Sequence, residues 1–313
     1  MREQDIRLLM EISQDREIQT GWQRGVEKQR TRTIKAGPLL YCASYPIWDT
    51  TSRREAEARL KGAKEKKGTA EAMRKINARR AEDRLVQLVN ANFGPGDHLV
   101  TCTYAAGKEP GSMEEAQKHM RNYLARVKRM CRRRGASDPA YVYVTEVTVS
   151  NRWGTRYHHH MVLKAELARE EVENLWIKHH GICNTRKAQR MREGLTGWAK
   201  YIAKQVCAGK RADSFQRKHR WAASKGLKVP QATEADKKIS RRRVEKIAQE
   251  IRRDQGIAQL HLEACYPGYE VLEMQVKTSE WVGGAYIYAV LAQKDKGGYT
   301  IHRDEGMTPK EGK

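Results

Sequence analysis

Residues 140–163 read AYVYVTEVTVSNRWGTRYHHHMVL, and this stretch decides the fold. From about Tyr141 to Val149 the residues alternate in character, as they do in a β-strand whose two faces differ. The turn-forming sequence NRWGT comes next, and the run that starts at Tyr157 is again typical of a strand. The two runs therefore predict a β-hairpin.

Further elements lie on both sides of this hairpin. A strand is predicted at about 98–104, after a turn that contains two glycines and a proline. A helix is predicted to begin with a capping sequence at Ser112 and to end before Gly135. More helices are predicted at about 168–180 and 194–206. Together these elements predict an α+β fold in which an antiparallel sheet carries helices on one face.

The remaining sequence suggests a division into four segments. Residues 1–50 form a polar N-terminal arm that ends in an apolar docking segment, and residues 51–92 form a basic helical segment. Residues 93–230 contain the predicted sheet. Residues 231–313 are expected to supply a charged helix, a strand and a loose tail.

The charge of the chain indicates a polyanionic partner. The sequence contains 61 Lys and Arg residues against 38 Asp and Glu residues, which is a formal net charge of +23. Nucleic acid fits such a surface because cationic contacts to phosphate release condensed counterions, although ribosomal and membrane-surface proteins can also be basic. No apolar run reaches about 18 residues and the N-terminus lacks a secretory signal, so we expect a cytoplasmic protein with no membrane partner.

The hairpin also offers a set of metal ligands. His158 and His160 project from the same face of their strand, with Cα atoms roughly 7 Å apart. Alternation on the preceding strand lets Glu146 come opposite them. Two imidazoles and one carboxylate suit a divalent ion such as Mn²⁺ or Mg²⁺ that must also accept phosphate oxygens. From the residues alone, a purely structural role for the histidines is equally open, and His159 points to the other face.

A candidate nucleophile lies on a predicted helix downstream. Tyr201 and Lys204 are three residues apart and therefore share a helix face. A phenol has an ordinary pKa near 10, so it needs a nearby cation or base to react at neutral pH. A Tyr-x-x-Lys pair by itself is more often a pair of helix-surface residues.

The order of these elements resembles the HUH endonuclease superfamily, in particular the rolling-circle replication-associated proteins of plasmids and small phages. The resemblance spans about Asn92 to Pro230. It comprises the strand VTCTY, then Glu146, the HHH run and the later YIAK. NF-x-x-x-D before the first strand, and Trp176 and Gly181 after the hairpin, strengthen it.

The resemblance implies a ferredoxin-like or RRM-like HUH fold and a role for each matching residue. His158 and His160 would be metal ligands and Glu146 the third ligand. Tyr201 would be the nucleophile and Lys204 its companion. The first motif, with a mainly structural role, is carried by Thr101, Thr103 and Tyr104.

Two positions depart from the pattern of the superfamily. Relatives with two catalytic tyrosines have one four residues before the other, where this chain has Gly197, so a single-tyrosine mechanism is indicated. His159 replaces the usual bulky apolar residue between the two ligand histidines.

The implied function is initiation of rolling-circle DNA replication by nicking and joining single-stranded DNA at a replication origin through a 5′-phosphotyrosine. The chain lacks a G-x-x-x-x-G-K-[ST] loop, so a separate host helicase, and a polymerase, are expected partners. A mobilisation relaxase or a single-strand transposase would use the same chemistry. A basic nucleic-acid-binding protein without catalysis and a metal hydrolase that uses water remain alternatives.

Overall fold

The computed structural model describes residues 26–48, 58, 70–150, 154–207, 221–236, 238–278 and 284–294. Within these ranges ten strands form two five-stranded sheets, and there are six helices. The strands are β1 (Val26–Ala36), β2 (Leu39–Trp48), β3 (His98–Tyr104), β4 (Ala140–Ser150), β5 (Gly154–Lys164), β6 (Gly181–Lys187), β7 (Trp221–Ala223), β8 (Ala232–Ala235), β9 (Tyr269–Thr278) and β10 (Ala285–Gln293). The helices are α1 (Ala70–Asn92), α2 (Met113–Arg133), α3 (Arg169–Ile177), α4 (Thr196–Cys207), α5 (Arg241–Glu250) and α6 (Gln255–Glu263).

One sheet contains the predicted hairpin, and we call it the histidine sheet. Its strand order is β6-β3-β5-β4-β7, and all its neighbouring strands are antiparallel. β4 and β5 pair without a register shift, with Glu146 directly opposite His158. The hairpin and the antiparallel α+β architecture are therefore confirmed.

The start of α2 shows why local sequence specifies this helix well. Ser112 is the N-cap, and its Oγ accepts a hydrogen bond of 3.2 Å from the backbone N–H of Glu115. Such a cap satisfies one of the backbone donors that the first turn leaves free. The chain leaves the helix at Gly135, where φ is +69°, a conformation that glycine adopts without strain. Both predicted ends of the helix are confirmed within about one residue.

Helices cover both faces of the histidine sheet, so the expectation of helices on one face was wrong. We call the side that bears His158 and His160 the histidine-pair face. α2 and α3 pack on the opposite face, where Met161 is buried, whereas α1 and α4 pack on the histidine-pair face against Val142 and Val162. Both sides of the hairpin are apolar over much of their length, and each buries its apolar residues under helices.

The second sheet is assembled from both ends of the described chain. Its strand order is β8-β1-β2-β10-β9, so strands from 26–48 pair with strands from 232–235 and 269–293. α5 and α6 pack on it through Val244, Ile247 and Leu262, beside the buried Ile287 and Leu291 of β10. The predicted C-terminal helix and strand are thus present.

Several predicted features lie outside the described residues. They are the first 25 residues of the N-terminal arm, most of the 51–69 part of the basic segment, and the tail from residue 295. No helix in the described part of the chain combines the length and the apolar character that crossing a membrane would require.

Candidate active site

The hairpin brings Glu146, His158 and His160 together on the histidine-pair face. His160 lies opposite Val144 and one pair away from the Glu146–His158 pair. The Nε2 atom of His160 is 2.9 Å from Oε2 of Glu146, and the two side chains are 7% and 20% exposed. Strand alternation had predicted this shared face, and the register of the hairpin brings it about.

Two threonines of β3 hold the histidine rings from the neighbouring strand. Thr103 Oγ1 is 3.2 Å from Nδ1 of His158, and Thr101 Oγ1 is 3.4 Å from Nδ1 of His160. These contacts follow from the pairing of β3 with β5, which places each threonine directly opposite its histidine. A partner on Nδ1 orients the ring and leaves Nε2 free to bind elsewhere.

His159 has a different environment from its two neighbours. It is fully buried on the opposite face, and its ring nitrogens lie 2.9 Å from Tyr104 Oη and 3.0 Å from Thr145 Oγ1. Burial lowers its pKa well below the ordinary value of histidine, since there is no charged partner to stabilise an imidazolium. His159 is therefore a neutral core residue that links β3, β4 and β5.

The environment of His158 also favours a neutral ring. Burial lowers the pKa of His158, while the carboxylate of Glu146 opposes that effect in part. A neutral imidazole is the form whose free nitrogen can bind a metal ion.

The donor atoms of this cluster fit a divalent ion in kind. Two neutral imidazoles and a carboxylate are ordinary ligands of Mn²⁺, and the threonine contacts are of the type that orients metal-binding histidines. Glu146 and His160 instead bond directly to each other. Among the residues that the structure describes, no group of three or more His, Cys, Asp or Glu side chains is already arranged to hold a metal.

Helix α4 places Tyr201 beside the histidines. Its buried residues Ala199 and Ile202 pack on the histidine-pair face, and Tyr201 is 45% exposed. The rings of Tyr201 and His160 meet edge to face, at 85°, with centroids 5.3 Å apart. Lys204 belongs to the same helix, but its side chain lies outside the described residues.

Sequence reasoning missed two residues of this cluster, Trp198 and Arg186. The Trp198 ring stacks on Tyr201 with centroids 5.7 Å apart and meets His160 edge to face at 6.0 Å. The Arg186 guanidinium lies 5.3 Å from the centroid of Trp198 on its other side. The helical spacing of Trp198 and Tyr201 was a usable signal. Arg186 had none, because β6 itself was not predicted.

The comparisons with known proteins match this part of the chain. Residues 97–206 match the family of replication-associated proteins that is named after ORF2. The matched range contains all three residues of the histidine–glutamate cluster and also Tyr201. No curated protein and no solved structure gave a match. The chain thus contains a domain similar to replication-associated proteins, which supports a role in replication initiation and binding of DNA at an origin.

Proposed function

We propose that this chain initiates rolling-circle DNA replication as an HUH-type endonuclease that nicks one DNA strand and remains joined to it through Tyr201. One observation carries the proposal: the ring of Tyr201 lies against His160, which is itself bonded to Glu146. A tyrosine from a late helix thus meets the cluster built by an earlier hairpin. The family match over 97–206 supports replication as the process in which this chemistry is used.

Tyr201 supplies the nucleophile in this reaction. Its hydroxyl oxygen attacks the phosphorus of a DNA phosphodiester and loses its proton. The bond from phosphorus to the 3′ oxygen breaks, and that oxygen takes up a proton. The product is a 5′-phosphotyrosine that conserves the energy of the broken bond, so the reverse reaction rejoins the strand. The exposure of Tyr201 is consistent with access for a DNA strand.

His158, His160 and Glu146 would hold the divalent ion, Mn²⁺ or Mg²⁺. Such an ion polarises a phosphate oxygen and stabilises the charge that develops on it. The protein's own contribution is orientation, because Thr101 and Thr103 hold the two rings by their Nδ1 atoms.

Lys204 and the overall charge would handle the anionic substrate. Lys204 lies three residues after Tyr201 on α4, where a cation favours the phenolate or neutralises the scissile phosphate. The net charge of +23 favours binding of DNA of any sequence. A host helicase and a polymerase would complete replication.

The test is capture of the covalent intermediate. Single-stranded origin candidates, labelled on the 3′ side of the nick, are incubated with the protein and Mn²⁺ and then resolved on denaturing gels. The wild type should carry the label, and Tyr201→Phe should carry none while still binding DNA. Tyr157→Phe is the matched control, because Tyr157 is buried on the opposite face of the same sheet.

Two results would contradict the proposal. Adduct formation by Tyr201→Phe would move the nucleophile to another tyrosine, with Tyr104 and Tyr157 the first to examine. Cleavage without any adduct in the wild type would identify water as the nucleophile and exclude the proposed mechanism.

A further inference from the structure

The edge strand β6 turns a row of exposed side chains toward the histidine-pair face. Along β6, Cys183 and Thr185 are buried, while the residues between and beside them are exposed. We call Ile182, Asn184 and Arg186 the β6 row. Ile182 is 66% exposed, which is unusual for a large apolar side chain in a paired strand.

The row lies next to the residues that hold the histidines. Ile182 is paired with Thr103, and Asn184 is paired with Thr101. Because β3 separates β6 from β5, the row lies two strands, or about 10 Å, from His158 and His160. Ile182 and Arg186 are four residues apart on the strand, so the row is about 13 Å long.

The far end of the row leads to the candidate nucleophile. Arg186 is exposed, yet its guanidinium lies over the ring of Trp198, which stacks on Tyr201. A strand bound along β6 would thus have one end beside Tyr201. The packing on Trp198 also restricts Arg186, which lowers the entropy lost when its cation binds an anion.

The three side chains differ in chemistry in a way that suits single-stranded DNA. A cation can bind a phosphate, an amide can donate to and accept from a base edge, and an apolar side chain can contact a sugar or the face of a base. The alternative partner for an exposed edge strand is a strand of another protein. The link from Arg186 to Tyr201 and the net charge of +23 favour DNA.

We propose that the β6 row binds the nucleotides that adjoin the scissile phosphate, with Arg186 on a phosphate and Asn184 on a base. This inference rests on the proposed function, because it takes Tyr201 as the residue that the DNA strand must reach. It assigns part of the substrate selectivity to a strand that supplies none of the proposed metal ligands.

The experiment measures binding without cleavage. The Tyr201→Phe protein is titrated with fluorescent dT, dC and dA oligonucleotides of equal length at several salt concentrations. Ile182→Ser should weaken binding by about threefold to tenfold without changing the salt dependence, since it removes an uncharged contact. Arg186→Gln should lower the slope of log affinity against log salt by about 0.7, the value for one phosphate contact to a single strand. Asn184→Ala should reduce the difference between the three oligonucleotides.

Matched controls change the same residue types away from the row. Val149→Ser alters an apolar side chain that is 73% exposed at the end of β4, on the opposite face. Arg133→Gln removes an exposed cation of α2, which packs on that opposite face. Both should bind DNA like the Tyr201→Phe protein.

The possible outcomes separate this inference from the proposed function. If row variants and controls bind alike, the β6 row is not a DNA site, whatever the adduct assay shows. The same conclusion follows if the row variants alter only self-association in size-exclusion chromatography, because the edge strand then serves a protein partner. If row variants bind weakly but the wild type forms no adduct, the row stands as a DNA site and the nicking mechanism fails.

Discussion

Alanine substitutions at the neighbouring residues His158 and His159 should have opposite consequences. His159→Ala should destabilise the fold and leave nicking chemistry intact at a permissive temperature. His159 is fully buried, and its removal deprives the hydroxyls of Tyr104 and Thr145 of the imidazole with which they hydrogen-bond. Unsatisfied buried groups cost about 1–3 kcal/mol, and the cavity left by the ring adds to that.

A total of about 2–4 kcal/mol is therefore expected, within the usual stability of a folded protein. For a domain of this size it corresponds to a fall in Tm of about 5–15 °C. His158 is only partly buried, and its hydrogen bond to Thr103 is partly exposed, so His158→Ala should change Tm by a few degrees at most while abolishing nicking.

Differential scanning fluorimetry and the adduct assay, run on the same preparations below the lower Tm, measure both effects. His160→Ala and Glu146→Ala should behave like His158→Ala in the adduct assay. The reasoning fails if His159→Ala keeps the wild-type Tm and yet loses all nicking, because the register of β5 would then place the wrong histidines at the site.

Three further predictions follow from the same structure. Trp198→Ala should slow adduct formation by about tenfold or more and Trp198→Phe much less, because Tyr201 loses a stacked partner worth about 0.5–1.5 kcal/mol in one case and keeps a ring in the other; single-turnover kinetics with saturating DNA would show otherwise if both variants react at the wild-type rate. DNA binding in chelator should persist and fall steeply with added salt, so a flat binding isotherm series from low to high salt would remove the electrostatic account of affinity. Burial, with help from His119, lowers the pKa of His180 to about 4, so the unfolded chain takes up this proton first and stability falls as the pH drops from about 6.5 to 4; His180→Gln should make the pH dependence of Tm shallower over that range, and equal slopes would contradict the assignment.

Local features of the sequence determined the part of the candidate site that depends on one hairpin. Alternation in a strand is a property of the backbone, so it placed His158 and His160 on one face and His159 on the other without knowledge of the fold. The turn at NRWGT is short enough to set the register that brings Glu146 opposite His158. The capping sequence at Ser112 likewise acts within four residues, which explains why the start of α2 was predictable.

Contacts between segments distant in the chain were decided only by the tertiary structure. Periodicity gave no sign of β6, because a short strand of mixed polarity at a sheet edge becomes a strand by pairing with β3. The same holds for the stack of Arg186, Trp198 and Tyr201, and for the sheet that joins 26–48 to 269–293. Each of these depends on which apolar surfaces are buried together, and burial is decided by the whole chain and not by the spacing of residues within one segment. The sequence by itself therefore determined the residues of the histidine cluster and their face, and the tertiary packing of α4 and β6 decided what stands around them.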